Sequence, residues 1–125
     1  MTWQYNSRTG VMTNDQDSSA SFLGYAGHGE GLNNPDMEFV PNVGPLPRAP
    51  SGYVIGGPVD DQHTGPFSMH LTPNNADELQ GRDEFLIHGD SQSMDHTASN
   101  GCIILARAAR EAIHASGDTS LEVWA

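Results

Sequence analysis

Apolar and polar residues alternate at several points along the chain, and this alternation predicts short β-strands. Trp3 to Thr13 alternates around a Ser-Arg-Thr-Gly turn and predicts an opening β-hairpin. Residues 14–19 are polar and predict a loop, whereas apolar runs predict strands at 22–27, 53–57, 67–71, 84–88 and 121–124. Residues 28–50 are dense in Gly, Asn and Pro and show no period, which predicts a long loop or irregular coil of the kind that often carries function.

Helical periodicity is convincing in one segment only, Ile103 to Ser116, and Gly117 supplies a stop signal. The predicted inner face carries Leu105, Ala109, Ala112 and Ile113, and the predicted outer face carries Arg107, Arg110, Glu111 and His114. We therefore expect a mainly β (α+β) fold over residues 1–125, a small mixed sheet or sandwich in a single domain. One main helix would follow Cys102.

Composition narrows the possible partners. The 125 residues include 14 Gly and 8 Pro, a density of turn residues that favours a β-rich domain. Sixteen acidic residues against five basic ones give a formal net charge of −11. Such a surface repels phosphate backbones and anionic bilayers, so nucleic-acid and lipid-surface binding are disfavoured. A cationic partner would gain in association rate from the same field.

Cys102 is the single cysteine, so the chain has no internal disulfide framework. The N-terminal residues lack the basic start and apolar run of a secretion signal, and no apolar stretch is long enough to span a membrane. From these features we expect synthesis in the cytoplasm, no membrane insertion, and delivery elsewhere only by a route that needs no N-terminal signal.

The candidate chemistry lies at His88 and Cys102, 14 positions apart. A thiol nucleophile needs a base within hydrogen-bond reach and donors for the developing oxyanion. Cys102 directly precedes the predicted helix, whose N-terminus would lower the thiol pKa from about 8.5. Gly101 would let nearby amides converge, and the carbonyl of Gly89 would fix the tautomer of His88.

The same residues are also compatible with other kinds of site. A lone cysteine is commonly a buried small hydrophobe, and a histidine at a strand end is commonly structural. A zinc site from His70, His88 and Cys102 has suitable ligand types but no short ligand spacing. A papain-like enzyme would place its histidine after the cysteine. Only His114 follows Cys102, about three helical turns away.

The same residues resemble the signature of the L,D-transpeptidase catalytic domain, in which a histidine precedes Ser/Thr-His-Gly-Cys and an apolar residue. The chain offers His88, then Ser99-Asn100-Gly101-Cys102 and Ile103. It is especially similar to the short effectors of that superfamily delivered by type VI secretion. The supporting elements are Tyr25-x-Gly27-x-Gly29 with Asn33-Asn34-Pro35, and Gly44-Pro45-Leu46-Pro47.

The resemblance implies L,D-carboxypeptidase or D-amino-acid exchange chemistry on peptidoglycan tetrapeptide stems, without a cofactor. Cys102 would be the nucleophile and His88 the general base and acid. Gly89 would orient His88, and the amides of Gly101 and Cys102 would form the oxyanion hole. Ser99 and Asn100 would contact substrate. His28, in the Gly-rich loop, would either line the substrate cleft or be a solvated loop histidine. The chain departs from the signature at Asn100, where the family has histidine.

The resemblance further implies action in the periplasm of target bacteria, delivery by the secretion apparatus, and a cognate immunity protein in the producer. The competing class is a cell-wall-binding or partner-binding domain that keeps the fold without the chemistry. Reactivity of the thiol distinguishes the two classes.

Overall fold

The computed structural model describes residues 2–90, 99 and 101–125. The fold in these residues is mainly β, as predicted, with nine strands in one mixed open sheet and one α-helix. The strands are β1 (Trp3–Asn6), β2 (Val11–Asn14), β3 (Asp17–Leu23), β4 (Tyr25–Ala26), β5 (Tyr53–Asp61), β6 (Gly65–Pro73), β7 (Phe85–His88), β8 (Ile103–Ile104) and β9 (Ser120–Trp124). The helix α1 spans Arg107–Ala115.

The predicted hairpin is confirmed, because β1 and β2 pair antiparallel with Tyr5 opposite Met12. The predicted polar loop at 14–19 is wrong in its second half, since β3 already begins at Asp17. This strand lies at the edge of the sheet, where polar side chains reach solvent on both faces. Residues 28–50 contain no strand, and two 3₁₀ turns at Gly29–Gly31 and Pro35–Met37 shape the loop.

The strand order is β3-β2-β1-β9-β5-β6-β7-β8-β4. Strand β7 is interior, between β6 on one side and β8 on the other. Strands β7 and β8 run parallel, with Ile87 opposite Ile103 and His88 opposite Ile104. All four residues of β7 are buried, as expected of a strand covered on both faces.

The prediction of a helix from Ile103 to Ser116 is wrong at its start. Ile103 and Ile104 form β8, and the helix begins at Arg107. Two consecutive β-branched residues favour a strand, and pairing on both sides with β7 and β4 secures it. The C-terminal end agrees with the prediction, because Gly117 follows the helix with φ +74°.

The helix buries Ala109 and Ile113 against a core that includes Tyr5, Met69 and Leu121. The prediction that Arg110 points outward is wrong. The Arg110 side chain is buried, and its guanidinium donates to the carbonyls of Leu105, Pro66 and Phe67. Arg110 thus fixes the helix against the start of β6 through backbone hydrogen bonds.

Candidate active site

The parallel pairing of β7 and β8 brings Cys102 and His88 to one face of the sheet. Extending the register places Cys102 opposite Leu86, and the Leu86 amide lies 3.3 Å from the Cys102 sulfur. His88 stands two residues beyond Leu86 and therefore points to the same side. Both side chains line one cleft of about 990 Å³. The sequence pair is thus gathered in a single concave site.

The His88 ring is held by its neighbour. The carbonyl oxygen of Gly89 lies 2.8 Å from His88 Nδ1. A carbonyl only accepts, so this contact places the proton on Nδ1 and leaves Nε2 as the basic atom. The His88 side chain is 4 % exposed. Gly89 also leaves room for Arg110, because a Cβ there would stand 2.8 Å from Arg110 Nη2.

Burial changes the protonation of both groups in the pair. Burial, opposed by the contact with Gly89 and aided by the charge of Arg110, holds the pKa of His88 below its usual value. Burial raises the pKa of the Cys102 thiol, although the amides of Leu86 and Cys102 and the charge of Arg82 act in the opposite direction. At neutral pH the favoured pair is therefore a neutral thiol beside a neutral imidazole. This arrangement suits general-base activation during attack.

The expected lowering of the thiol pKa by a helix N-terminus is wrong. Helix α1 begins at Arg107, and β8 stands between it and Cys102. The dipole effect is confined to the first turn of a helix, so it does not act on this sulfur.

The carbonyl of Glu84 is the second contact of the thiol. The sulfur donates toward the Glu84 oxygen at 3.9 Å. Glu84 has φ +60°, a left-handed conformation that costs a non-glycine residue about 1–2 kcal/mol. Strained backbone of this kind concentrates at functional sites. Here it directs a carbonyl at the sulfur immediately before β7 begins.

Ser99 organises the turn that precedes the cysteine. Its side chain is fully buried, and its hydroxyl accepts from the amides of Gly27 and Gly101 at 2.9 and 3.0 Å. The same hydroxyl donates to the Cys102 carbonyl at 2.6 Å. Ser99 therefore supports the turn from behind and does not line the cleft. The Gly101 amide, expected in the oxyanion hole, is directed to this hydroxyl instead, which leaves the Cys102 amide as the remaining donor of that pair.

His28 also contacts the turn that precedes the cysteine. Its Nδ1 lies 2.8 Å from the Ser99 carbonyl, and the side chain is absent from the lining of the cleft. The ring thus joins the 28–50 loop to the cysteine turn. Asn100, the other residue expected to contact substrate, lies outside the described residues.

Two arginines at this site were missed by sequence reasoning. All five basic side chains of the chain are arginines, and both Arg82 and Arg110 are buried beside the pair. Arg82 lines the cleft itself. One signal in the sequence could have pointed to Arg82. It is a rare basic residue in a strongly acidic chain, three positions before a predicted apolar strand.

The cleft is otherwise acidic at its rim. Its lining includes carboxylates from β5, from the segment before β7 and from the residue after Gly89; these are Asp61, Asp83, Glu84 and Asp90. Among residues 2–90, 99 and 101–125 no three His, Cys, Asp or Glu side chains are grouped as metal ligands. The zinc set of His70, His88 and Cys102 therefore does not form, although all three residues line the cleft.

A histidine oriented by a backbone carbonyl shares one cleft with a cysteine that directly precedes the adjacent parallel strand, and the two define a candidate cysteine acyl-transfer site. The family model of the Tlde1 domain matches residues 20–120, so the chain belongs to the Tlde1-domain family. This family comprises type VI secretion effectors, antibacterial toxins with activity directed at the cell wall. No curated protein and no solved structure matches the chain. In the part of the chain that the structure describes, no helix has the length and apolar character that a membrane crossing requires.

Proposed function

We propose that residues 1–125 form one L,D-transpeptidase-like catalytic domain. Its activity is that of a cysteine L,D-carboxypeptidase or L,D-transpeptidase on peptidoglycan tetrapeptide stems. The observation that carries this proposal is the shared cleft of Cys102 and His88, in which the carbonyl of Gly89 orients the ring. Membership of a cell-wall-directed effector family supports the substrate class.

In the first half-reaction, Cys102 Sγ attacks the carbonyl carbon that links meso-diaminopimelate to the terminal D-alanine. His88 Nε2 accepts the thiol proton as the carbon–sulfur bond forms. The tetrahedral intermediate collapses by breaking the carbon–nitrogen bond, and His88 returns the proton to the departing D-alanine amine. The product on the enzyme is a thioester at Cys102.

In the second half-reaction, water or another D-amino acid attacks the thioester while His88 accepts its proton. Water gives the tripeptide, and a D-amino acid gives an exchanged tetrapeptide. The thiolate leaves and regains a proton from His88. The amide of Cys102 donates to the oxyanion in both steps, because the Gly101 amide already donates a hydrogen bond to the Ser99 hydroxyl.

The effector acts in the periplasm of target bacteria after delivery by the secretion apparatus, and the producer protects itself with an immunity protein. The net charge of −11 favours a partner with a basic surface. Association with such a partner should slow steeply as salt rises from about 0.05 to 0.5 M, because exposed charges are then screened. An association rate that does not change with salt would contradict this part of the proposal.

The second candidate is a wall-binding domain that has kept the fold without chemistry. The raised pKa of Cys102 is the observation on its side, because an unreactive buried thiol would show the same direction. The two candidates differ in whether the protein converts substrate or only retains it.

The deciding experiment is mass analysis of muropeptides incubated with the protein, with and without D-methionine. We expect loss of the terminal D-alanine in water and a D-methionine-containing tetrapeptide when D-methionine is added. Cys102→Ala should abolish both products while circular dichroism shows an unchanged fold. Met12→Leu, a volume-conserving change in the core, serves as the control and should remain active. Tripeptide formed by folded Cys102→Ala protein would refute the nucleophile assignment. Bound but unchanged tetrapeptide would favour the wall-binding domain.

A further inference from the structure

Arg82 holds a guanidinium against the backbone of the long loop. Its side chain is almost wholly buried, and Nη1 donates to the carbonyls of Glu38 and Pro45, the latter at 2.8 Å. Nη2 donates to the Gly44 carbonyl at 3.1 Å. The guanidinium carbon also lies 5.0 Å from the centre of the Phe85 ring. These contacts fix the position of the charge.

The same guanidinium approaches the turn before Cys102. Gly101 has φ +134°, and a Cβ added there would lie 2.5 Å from Arg82 Nη2 and 2.8 Å from the Phe85 ring. The Gly101 carbonyl accepts from the Leu46 amide at 2.9 Å, which holds the turn against the loop that Arg82 anchors. Glycine at 101 is thus required by the close approach of Arg82 as well as by its backbone angle.

We propose that the Arg82 guanidinium is the positive charge that stabilises the Cys102 thiolate, in the place that a helix N-terminus takes in other thiol enzymes. The inference rests on the proposed function, in which Cys102 is the nucleophile. Arg82 influences the reaction by its effect on the Cys102 sulfur, so it is a positioning residue and not a catalytic one. Its charge lies in a partly buried cleft, where Coulombic attraction is several times stronger than in bulk water.

Other influences on the thiol oppose its ionisation, so a nearby positive charge is needed to favour the thiolate. Arg82 favours the thiolate, Asp61 disfavours it, and burial disfavours it most. Conversely, burial lowers the pKa of Arg82, whereas Tyr53 and the Cys102 thiolate raise it. The remaining charged or titratable groups that line the cleft are His63, His70, Asp83, Glu84, His88 and Asp90. Arg82 is the only arginine among the described residues that line it.

The charge of Arg82 and its hydrogen bonds can be tested separately. Arg82→Gln removes the charge and keeps an amide donor. Arg82→Lys keeps the charge but cannot reach three carbonyls with a planar fork. Arg8→Gln is the matched control, because Arg8 is exposed, pairs with Asp36 at 3.8 Å and is absent from the cleft.

The measurement is the rate of alkylation of Cys102 by iodoacetamide from pH 6 to pH 10, which is unambiguous because the chain has one cysteine. Arg82→Gln should move the thiol titration up by about one pH unit and slow alkylation about tenfold at pH 7.5. In the Arg82→Lys protein the Cys102 thiol should titrate at the same pH as in the wild type, even if the melting temperature of the variant is lower. Arg8→Gln should match the wild type.

A folded Arg82→Gln protein with the wild-type titration overturns the proposal. The proposal is also overturned if the thiol titration shifts equally in the Arg82→Gln and Arg82→Lys proteins, in proportion to their loss of thermal stability. That pattern would indicate a structural role for Arg82. If Arg82→Gln does not fold, Arg82→Lys decides: a wild-type titration supports the proposal and an upward shift overturns it. No peptidoglycan is used, so failure here is distinct from a failure of the muropeptide experiment.

Discussion

Burial sets the protonation of the two residues on which the chemistry depends. The raised pKa of Cys102 and the lowered pKa of His88 both favour the uncharged forms. A preformed thiolate–imidazolium pair is therefore a minor species at neutral pH. The proton must move as the sulfur attacks, and the Gly89 contact keeps the accepting nitrogen of His88 unprotonated and oriented.

The pH dependence of trimming follows from this state. Activity requires neutral His88, whose pKa lies below its usual value of about 6.5. We expect kcat/KM for a tetrapeptide to rise from the acid side with a midpoint below pH 6.5 and to stay level through pH 7.5. Rates measured from pH 4.5 to pH 8 check this. An acid limb centred above pH 7 would contradict the burial of His88.

Ser99 provides a second prediction for a single residue. Ser99→Ala leaves two buried amides, those of Gly27 and Gly101, without their acceptor. We expect the free energy of unfolding to fall by about 1–3 kcal/mol and trimming to drop with it. Urea denaturation measures the first effect. Ser19→Ala is the control, at an exposed serine whose hydroxyl donates a hydrogen bond to Asp17. This change should alter the free energy of unfolding by less than about 0.5 kcal/mol. Equal effects at the two sites would refute the role of Ser99.

Pairing between β7 and β8 creates the site, and only the first of these strands was predicted. Phe85 to His88 is a continuous apolar run ending in His, which predicts a buried strand. Ile103 and Ile104 lead directly into helical periodicity, and a run of two or three apolar residues is equally compatible with either structure. The parallel partner is set by tertiary pairing, which no local pattern contains.

The contact between the helix and β6 makes a prediction about Arg110. Arg110→Met would leave the carbonyls of Leu105, Pro66 and Phe67 without a donor. We expect a loss of about 2–3 kcal/mol in the free energy of unfolding, measured in urea. Arg107→Met is the matched control on the same helix. Arg107 is half-exposed, pairs with Glu111 at 3.7 Å and lies 4.7 Å from the centre of the Phe67 ring, so its loss should cost under about 1 kcal/mol. A larger loss at Arg107 than at Arg110 would contradict the packing described.

In the whole molecule, local patterns predicted most of the elements but not the burial of two arginines. The hairpin at Trp3–Asn14, the irregular loop at 28–50 and the strand at Ser120–Trp124 follow from alternation and turn residues. Arg82 and Arg110 were not predicted as buried, because their burial depends on carbonyls supplied by distant segments. Helical periodicity placed Arg110 outside, although a long side chain can turn inward and hydrogen-bond at its end.

The shifted pKa values of His88 and Cys102 also predict how stability depends on pH. The folded pKa of His88 is lowered, so its stability contribution is present above about pH 6.5 and is lost as pH falls through the folded value. The folded pKa of Cys102 is raised, so its contribution is present below about pH 8.5 and is lost as pH rises through the folded value.

Stability should therefore be greatest between about pH 6.5 and 8.5, and melting temperatures measured from pH 5 to pH 9.5 will test this expectation. His88→Gln should flatten the acid limb above pH 5, and Cys102→Ala should flatten the alkaline limb. Limbs of unchanged slope in these variants would show that other groups control stability in this range.

The His88 imidazole and the Cys102 sulfur should act as one unit, and the most direct test is the pH profile of Cys102 alkylation in wild type and His88→Gln. In the wild type we predict a shoulder at neutral pH, from the minor thiolate–imidazolium form, below the main rise at alkaline pH. His88→Gln should lose the shoulder and keep the alkaline rise. Superimposable profiles for the two folded proteins would contradict the pairing.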